Sequence, residues 1–212
     1  MIHGLVTDVD VQDFVLIRHA ETRSNRLARW HGDANEPISS KGRQESARAA
    51  GKLVATLGEP RLVLTSLLIR AVQTAEIFRG RLPHSELVQD DALREREMGD
   101  WSGLGPAEVE ARWPGMLAAW ERGDLPGPPN GETDSAVAER AMNALRRNVG
   151  KCPGPVLVVT HGGVIRSLLR TNNQANLPVP HLGGYLTRVK QDADDWRMTE
   201  VVFGDPNVKP RT

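Results

Sequence analysis

Two histidines stand in matching places. His19 lies in Leu16-Ile17-Arg18-His19-Ala20-Glu21-Thr22, directly after the apolar run Phe14 to Ile17. His161 lies in Val159-Thr160-His161-Gly162-Gly163, directly after Val156 to Val159. In open α/β sheets ligands bind beyond the carboxyl ends of strands, so these two residues, 142 positions apart, are expected at one sheet edge. Arg70 converges on the same edge. With Ser66 as N-cap it falls in the first turn of a helix, and helical side chains tilt back toward the N-terminus. Helix starts offer free N–H groups and partial positive charge, which together with arginines favour an anion such as phosphate. A single histidine after a strand is an ordinary loop residue; chemistry needs several functional groups together, and this edge would gather them.

The elements that must position these groups are legible as short apolar runs alternating with helical periodicity, an α/β pattern. The runs are Phe14 to Ile17, Arg61 to Leu64, Glu86 to Val88 and Pro155 to Val159, with later ones at Tyr185 to Val189 and Arg197 to Phe203. A helix between the first two carries Ala47, Ala50, Leu53, Val54 and Leu57 on one face, with Ser39 or Ser40 as N-cap and Gly58 past its end. A second follows Thr65 and Ser66, with Leu68, Ala71, Val72 and Ala75 as its stripe and Gly80 as its stop. A third spans about Ser135 to Val149 and a fourth starts after Gly162-Gly163. The stretch from about Leu93 to Gly131, rich in Gly, Pro and Trp, reads as a cap inserted over one end of the sheet, and Pro126 to Gly131 as its turn-rich return. The expectation is one domain over residues 1–212: a three-layer α/β/α sandwich with a mostly parallel mixed sheet of about six strands and a small helical cap insertion at about 93–131.

Composition narrows the function classes. The 212 residues carry 27 basic and 27 acidic side chains, so no global field points to nucleic acid or an anionic membrane, and neither is expected as a partner. Charge is instead local, with four arginines against one glutamate over residues 18–30. Arginines outnumber lysines 22 to 5, a skew broad enough to reflect coding composition rather than a binding surface. The single cysteine, Cys152, excludes an intramolecular disulfide and a multi-cysteine metal site. No apolar run approaches the roughly 20 residues of a membrane helix, and residues 1–17 hold three Asp and no Lys or Arg, unlike a signal peptide. A cytoplasmic setting is expected.

Six segments, in order, resemble the signatures of the histidine phosphatase superfamily, the phosphoglycerate-mutase-like branch 1. They are Arg18-His19-Ala20-Glu21-Thr22 with Asn25; Pro37-Ile38-Ser39 with Gly42-Arg43-Gln44; Thr65-Ser66 through Arg70 to Ala75; Leu93-Arg94-Glu95 with Gly99 to Gly103; Asn130-Gly131-Glu132-Thr133; and Thr160-His161-Gly162-Gly163. The resemblance covers about residues 13–170. It implies that His19 is the nucleophile that becomes a phosphohistidine, and that Arg18, Arg70 and His161 bind the equatorial phosphoryl oxygens. Asn25 and Gly162 are then phosphate contacts as well. Glu95 is the acid that protonates the leaving alcohol and later activates water, with Glu97 a neighbouring competitor.

Physical chemistry agrees with these roles. His19 must attack as neutral imidazole, so an acceptor should fix its other N–H. Phosphoryl transfer asks mainly for alignment and charge stabilisation, which two guanidinium groups supply, so no metal and no cofactor is expected.

Four departures bear on activity. Ala20 replaces the usual glycine, and Ser24 stands where many mutases have tryptophan. Gly163 stands where mutases usually carry asparagine, and the insert has no Arg-Arg pair to hold a second anion; the only such pair, Arg146-Arg147, lies in the later helix. Only 66 positions separate Glu95 from His161, a short insert that favours hydrolysis over a mutase's dry cavity. The expectation is a phosphatase of a small-molecule phosphomonoester, with phosphoglycerate mutase or a non-catalytic phosphoester-binding protein as alternatives and a homodimer left open. Specificity is expected from the loop Arg26 to Asn35, with Trp30 and His31, and from the insert tryptophans, with Trp101 in the core.

Overall fold

The computed structural model describes residues 10–30, 34–174, 178–191 and 196–202. His31 and Phe203, and the side chain of Leu57, lie outside the described residues. Six strands form one sheet: β1 (Val11–Arg18), β2 (Leu62–Thr65), β3 (Glu86–Gln89), β4 (Val156–Thr160), β5 (Gly183–Lys190) and β6 (Met198–Val202), in the order β3-β2-β4-β1-β5-β6. β1, β2, β3 and β4 are parallel, while β5 runs antiparallel to both β1 and β6. At the centre Arg18 pairs with Thr160, so the residues that follow, His19 and His161, leave the sheet side by side.

Strand residues point alternately to two faces, and each face is covered by helices. Phe14, Leu16, Leu64 and Val158 pack on one side under α6 (Asp134–Arg146) and α7 (Gly162–Thr171). Val15, Ile17, Val63 and Val159 pack on the other under α2 (Ser40–Leu57) and α3 (Ile69–Arg79). This is the three-layer α/β/α sandwich with a mixed six-stranded sheet that the sequence pattern implied. The antiparallel β5 approaches β1 so closely that a Cβ on Gly184 would overlap the Leu16 carbonyl oxygen.

The helices differ from expectation in detail. In α2 Ser39 caps the first turn by accepting from Gly42 N, and Gly58, at φ 74°, ends the helix. Its buried face is Ser46, Ala49, Ala50 and Leu53; Ala47 is exposed. Ser66 does not cap α3. Its hydroxyl accepts from Leu68 N, a local turn that delays the helix to Ile69 with Leu68 as N-cap. The buried face of α3 therefore rotates from Leu68 and Val72 onto Arg70, Ala71, Thr74, Ala75 and Phe78. α6 begins at Asp134, capped by the Thr133 hydroxyl, and ends at Arg146. α7 begins at Gly162 itself, with His161 as N-cap.

Between β3 and α6 the chain makes two 3-10 turns and two short helices, α4 (Pro106–Arg112) and α5 (Met116–Arg122). α1 (Arg23–Arg26) is a single turn after β1. The insert has its own small core of Met98, Trp101, Val109 and Trp120. Among the described residues no helix is long and apolar enough to cross a membrane.

Candidate active site

The ends of β1 and β4 bring the two histidines together. Their rings are 5.1 Å apart, centroid to centroid, and both residues are buried. His19 N donates to Thr160 O at 2.8 Å, which locks the two strand exits to each other. The His19 Nδ1–H donates to its neighbour's carbonyl, Ala20 O, at 2.7 Å. A carbonyl only accepts, so this bond fixes the tautomer and leaves Nε2 carrying the lone pair. Burial, and behind it the charges of His161, Arg70, Arg18 and His181, holds the His19 imidazole well below its usual value of 6.5, so the ring is neutral in ordinary buffers.

The methyl group of Ala20 is turned away into the core, toward Gly42. Its N–H donates to Thr74 Oγ1 at 3.1 Å, which ties the β1 exit to α3. That contact explains why a threonine occupies the inner face of α3, and it seats Arg70 one turn before Thr74. Arg70 is fully buried, with one guanidinium N–H donating to Ala34 O at 2.6 Å. Arg18, the last residue of β1, donates to Val179 O at 2.8 Å, while its buried Nε has no hydrogen-bond partner among the described residues. Burial lowers Arg18 to about 10, partly countered by Glu95 and reinforced by Arg166 and Arg70. It is still a cation at neutral pH.

Glu95 reaches the site by way of β4. Thr160 Oγ1 donates to Leu93 O at 2.9 Å, drawing the segment after β3 against the His161 end of that strand. The Glu95 carboxylate accepts from Arg96 N at 2.9 Å and lies against Gly163 in the first turn of α7. Gly162 beside it faces the Arg18 side chain, whose Cδ would be 3.4 Å from a Cβ at that position. Glu97, by contrast, is exposed and pairs with Arg94 at 3.3 Å. Asn25 lies further out. Its side-chain oxygen accepts from Thr22 N at 3.1 Å in the capping box of α1. The structure thus gathers Arg18, His19, Arg70, Glu95, His161 and Gly162 at one edge, with Asn25 on the loop that borders it.

Two further groups at this edge escaped the sequence reading. The ring of His181, in the turn before β5, lies 6.1 Å from that of His19. Arg166, one turn along α7 from Gly162 and Gly163, lies over the Trp120 ring at 5.7 Å. Burial lowers Arg166, with Arg170 adding to the effect and Glu95 opposing it.

The segment between β3 and α6 is held to its neighbours by aromatic and charged contacts. Trp30 stacks on Trp101 at 5.9 Å, Trp101 meets Trp120 edge-on at 5.7 Å, and Trp30 and Gly103 are joined by a 2.8 Å backbone bond. Arg96 is buried and bonds Asp134, Ser167 and Glu132 O, tying the insert to α6 and α7. Trp101 is core, as expected, and Trp30 is part of the same stack.

Chemically, the edge offers a neutral imidazole nucleophile, two buried guanidinium groups, a second imidazole and a carboxyl group, a set suited to a tetrahedral dianion. The sequence profile of the histidine phosphatase superfamily (branch 1) matches residues 14–202. The chain is 34% identical over 205 residues to phosphoglycerate mutase-like protein 4 of Arabidopsis thaliana, covering 93% of this chain and 87% of that one. It is 33% identical over 185 residues to glucosyl-3-phosphoglycerate phosphatase of Mycolicibacterium vanbaalenii, covering 82% and 80%. The solved structure of a mycobacterial glucosyl-3-phosphoglycerate phosphatase superposes with a TM-score of 0.78 at 27% identity, over 92% of this chain and all of that one. The chain belongs to branch 1 of the histidine phosphatase superfamily.

Proposed function

We propose that the chain is a metal-independent phosphomonoester hydrolase of small phosphorylated metabolites, working through a phosphohistidine on His19. The observation that carries this reading is the His19 Nδ1–H bond to Ala20 O, which leaves Nε2 as a neutral nucleophile among buried cations. In the first step Nε2 forms a bond to phosphorus as the ester P–O bond breaks, and Glu95 gives its proton to the departing alkoxide. Arg18, Arg70 and His161 hold the three non-bridging oxygens, with Asn25 and Gly162 at their margin. In the second step Glu95 takes a proton from water, the water oxygen bonds to phosphorus, the N–P bond breaks, and inorganic phosphate leaves. Such a positioned acid and base contributes about 10²- to 10⁴-fold.

Hydrolysis is favoured over mutase chemistry because two cations of the insert, Arg94 and Arg96, are already engaged in ion pairs. Arg94 pairs with Asp91, Glu97 and Glu132, and Arg96 with Asp134. They are not free to hold the second anion of a bisphosphate.

The test is phosphate release from p-nitrophenyl phosphate in the presence of a chelator, comparing wild type with His19→Ala. Chelator-resistant turnover that the substitution abolishes is expected; activity that needs a metal, or survives His19→Ala, sinks the mechanism. Supplying 3-phosphoglycerate with a trace of the bisphosphate separates the classes, since isomerisation faster than phosphate release would make the protein a mutase.

A further inference from the structure

We infer that His181 is a further phosphoryl-binding residue, a third imidazole that donates a hydrogen bond to the anion held at His19; this rests on the phosphatase reading above. Three observations carry it.

The first is position. The His181 ring centroid is 6.1 Å from that of His19, against 5.1 Å for His161. A phosphoryl oxygen accepts from a ring N–H at about 2.7–2.9 Å. Rings this close can turn their nitrogens toward different oxygens of one tetrahedral anion seated beside the pair. His161 is fully buried, whereas His181 is half-buried.

The second is attachment. The segment bearing His181 is fastened to Arg18, itself a site residue, on both sides. Arg18 donates from its guanidinium to Val179 O at 2.8 Å and accepts at its carbonyl from Leu182 N at 3.0 Å. His181 lies between those two anchors, so the residue next to the nucleophile in sequence also sets where the third imidazole stands.

The third is backbone conformation. Gly183 N donates to Pro180 O at 3.1 Å, closing a turn with His181 and Leu182 as its central residues. Leu182 has φ 61°, at a position where turns of positive φ ordinarily place glycine. Such an arrangement persists only when the surroundings over-determine it, and residues held this way gather at functional sites. Here the Leu182 side chain is buried in the core beside β1, and the conformation it enforces places His181 at the site.

The measurement is the dissociation constant of inorganic phosphate, by calorimetry, for wild type, His181→Ala and His181→Gln, with p-nitrophenyl phosphate kinetics and Tm alongside. Gln keeps an N–H donor at similar reach. Loss of one hydrogen bond to a charged group predicts weakening on the order of tenfold in His181→Ala. His181→Gln should stay within about threefold of wild type, and Tm should hold in both. A His181→Ala constant within twofold of wild type overturns the assignment while leaving the hydrolase reading intact. Equal weakening in both variants, tracking a lowered Tm, makes the role structural and overturns it as well. A wild type that neither binds phosphate nor turns over the ester overturns the hydrolase reading and this inference together.

Discussion

The Glu95 carboxylate occupies the space that a side chain on Gly163 would take. A Cβ built on Gly163 would overlap Glu95 Oε1, with Glu95 Cδ at 3.2 Å and Arg96 Cβ at 3.3 Å. The absence of a side chain is therefore what lets the carboxylate rest on the first turn of α7, beside His161. Gly163→Ala should push the carboxylate off that seat while leaving Arg18, Arg70 and His161 in place. The expected result is a fall in kcat of roughly tenfold or more for alkyl phosphates, whose leaving group needs a proton, and less than about threefold for p-nitrophenyl phosphate. Comparing kcat across a leaving-group series checks this, and equal slowing across the series counts against the seat.

The acid and alkaline edges of activity follow from two buried groups. His19 is held well below 6.5 in the folded chain, chiefly by burial, so its ring stays neutral where an exposed histidine would be protonated. The acid limb of kcat/KM attributable to His19 should lie below pH 6.5. Folding is linked in the same direction. Unfolded chain takes up a proton on His19 near its ordinary value, while folded chain does so only at lower pH. The contribution is complete above pH 6.5 and is lost as pH falls toward the folded value, a trend that His19→Gln should remove from denaturant midpoints. On the other side Arg18, lowered to about 10 by burial, loses its charge there, so KM for an aryl phosphate should climb above pH 10.

What the sequence revealed and what it hid have a common cause. His19, Arg70 and His161 were legible because β1, β2 and β4 are parallel, and residues after parallel strands share an edge. His181 escaped the same rule because β5 is antiparallel. Ile17 pairs with Gly184, so the amino end of β5, not its carboxyl end, faces the site. Arg166 was hidden differently. Its place beside Glu95 depends on α7 starting at Gly162, while an apparent Gly-Gly break before the helix left its face undetermined. Ser66 was misread because a hydroxyl that serves a helix cap serves equally well to close a local turn, here onto Leu68 N.

The insert is fastened by an acid between two arginines. Asp134 takes Arg96 on one oxygen and Arg170 at 2.9 Å on the other, and both arginines lie over the Trp120 ring, at 5.1 and 4.7 Å. Burial alone would raise the Asp134 carboxyl, yet Arg96 and Arg170 outweigh it and hold it below its usual 3.8. Removing the carboxylate strands two cations in a largely dry contact. Asp134→Ala should cost about 3–5 kcal/mol, the range for breaking one partner out of a buried pair. In wild type the contribution is present above pH 3.8 and lost as pH falls through the lowered value. Guanidinium unfolding of the variant checks the magnitude, and a cost below about 1 kcal/mol would reduce the contact to a surface ion pair.

Leu182 reverses the usual ranking of truncations. Its side chain is 1% exposed, so removing it forfeits about 1.5–3 kcal/mol of apolar burial. Its φ of 61° costs any residue with a Cβ about 1–2 kcal/mol, a penalty that glycine escapes. Leu182→Ala loses the burial and keeps the penalty; Leu182→Gly loses slightly more burial and sheds the penalty, against the greater backbone entropy of glycine in the unfolded chain. The conformational gain is the larger of these differences, so Leu182→Gly should be the more stable variant by up to about 1 kcal/mol. In a helix the order would be the opposite. Equilibrium unfolding of the pair decides it. Alanine above glycine would mean that the turn relaxes once the leucine is gone, and that the buried side chain alone holds His181 in place.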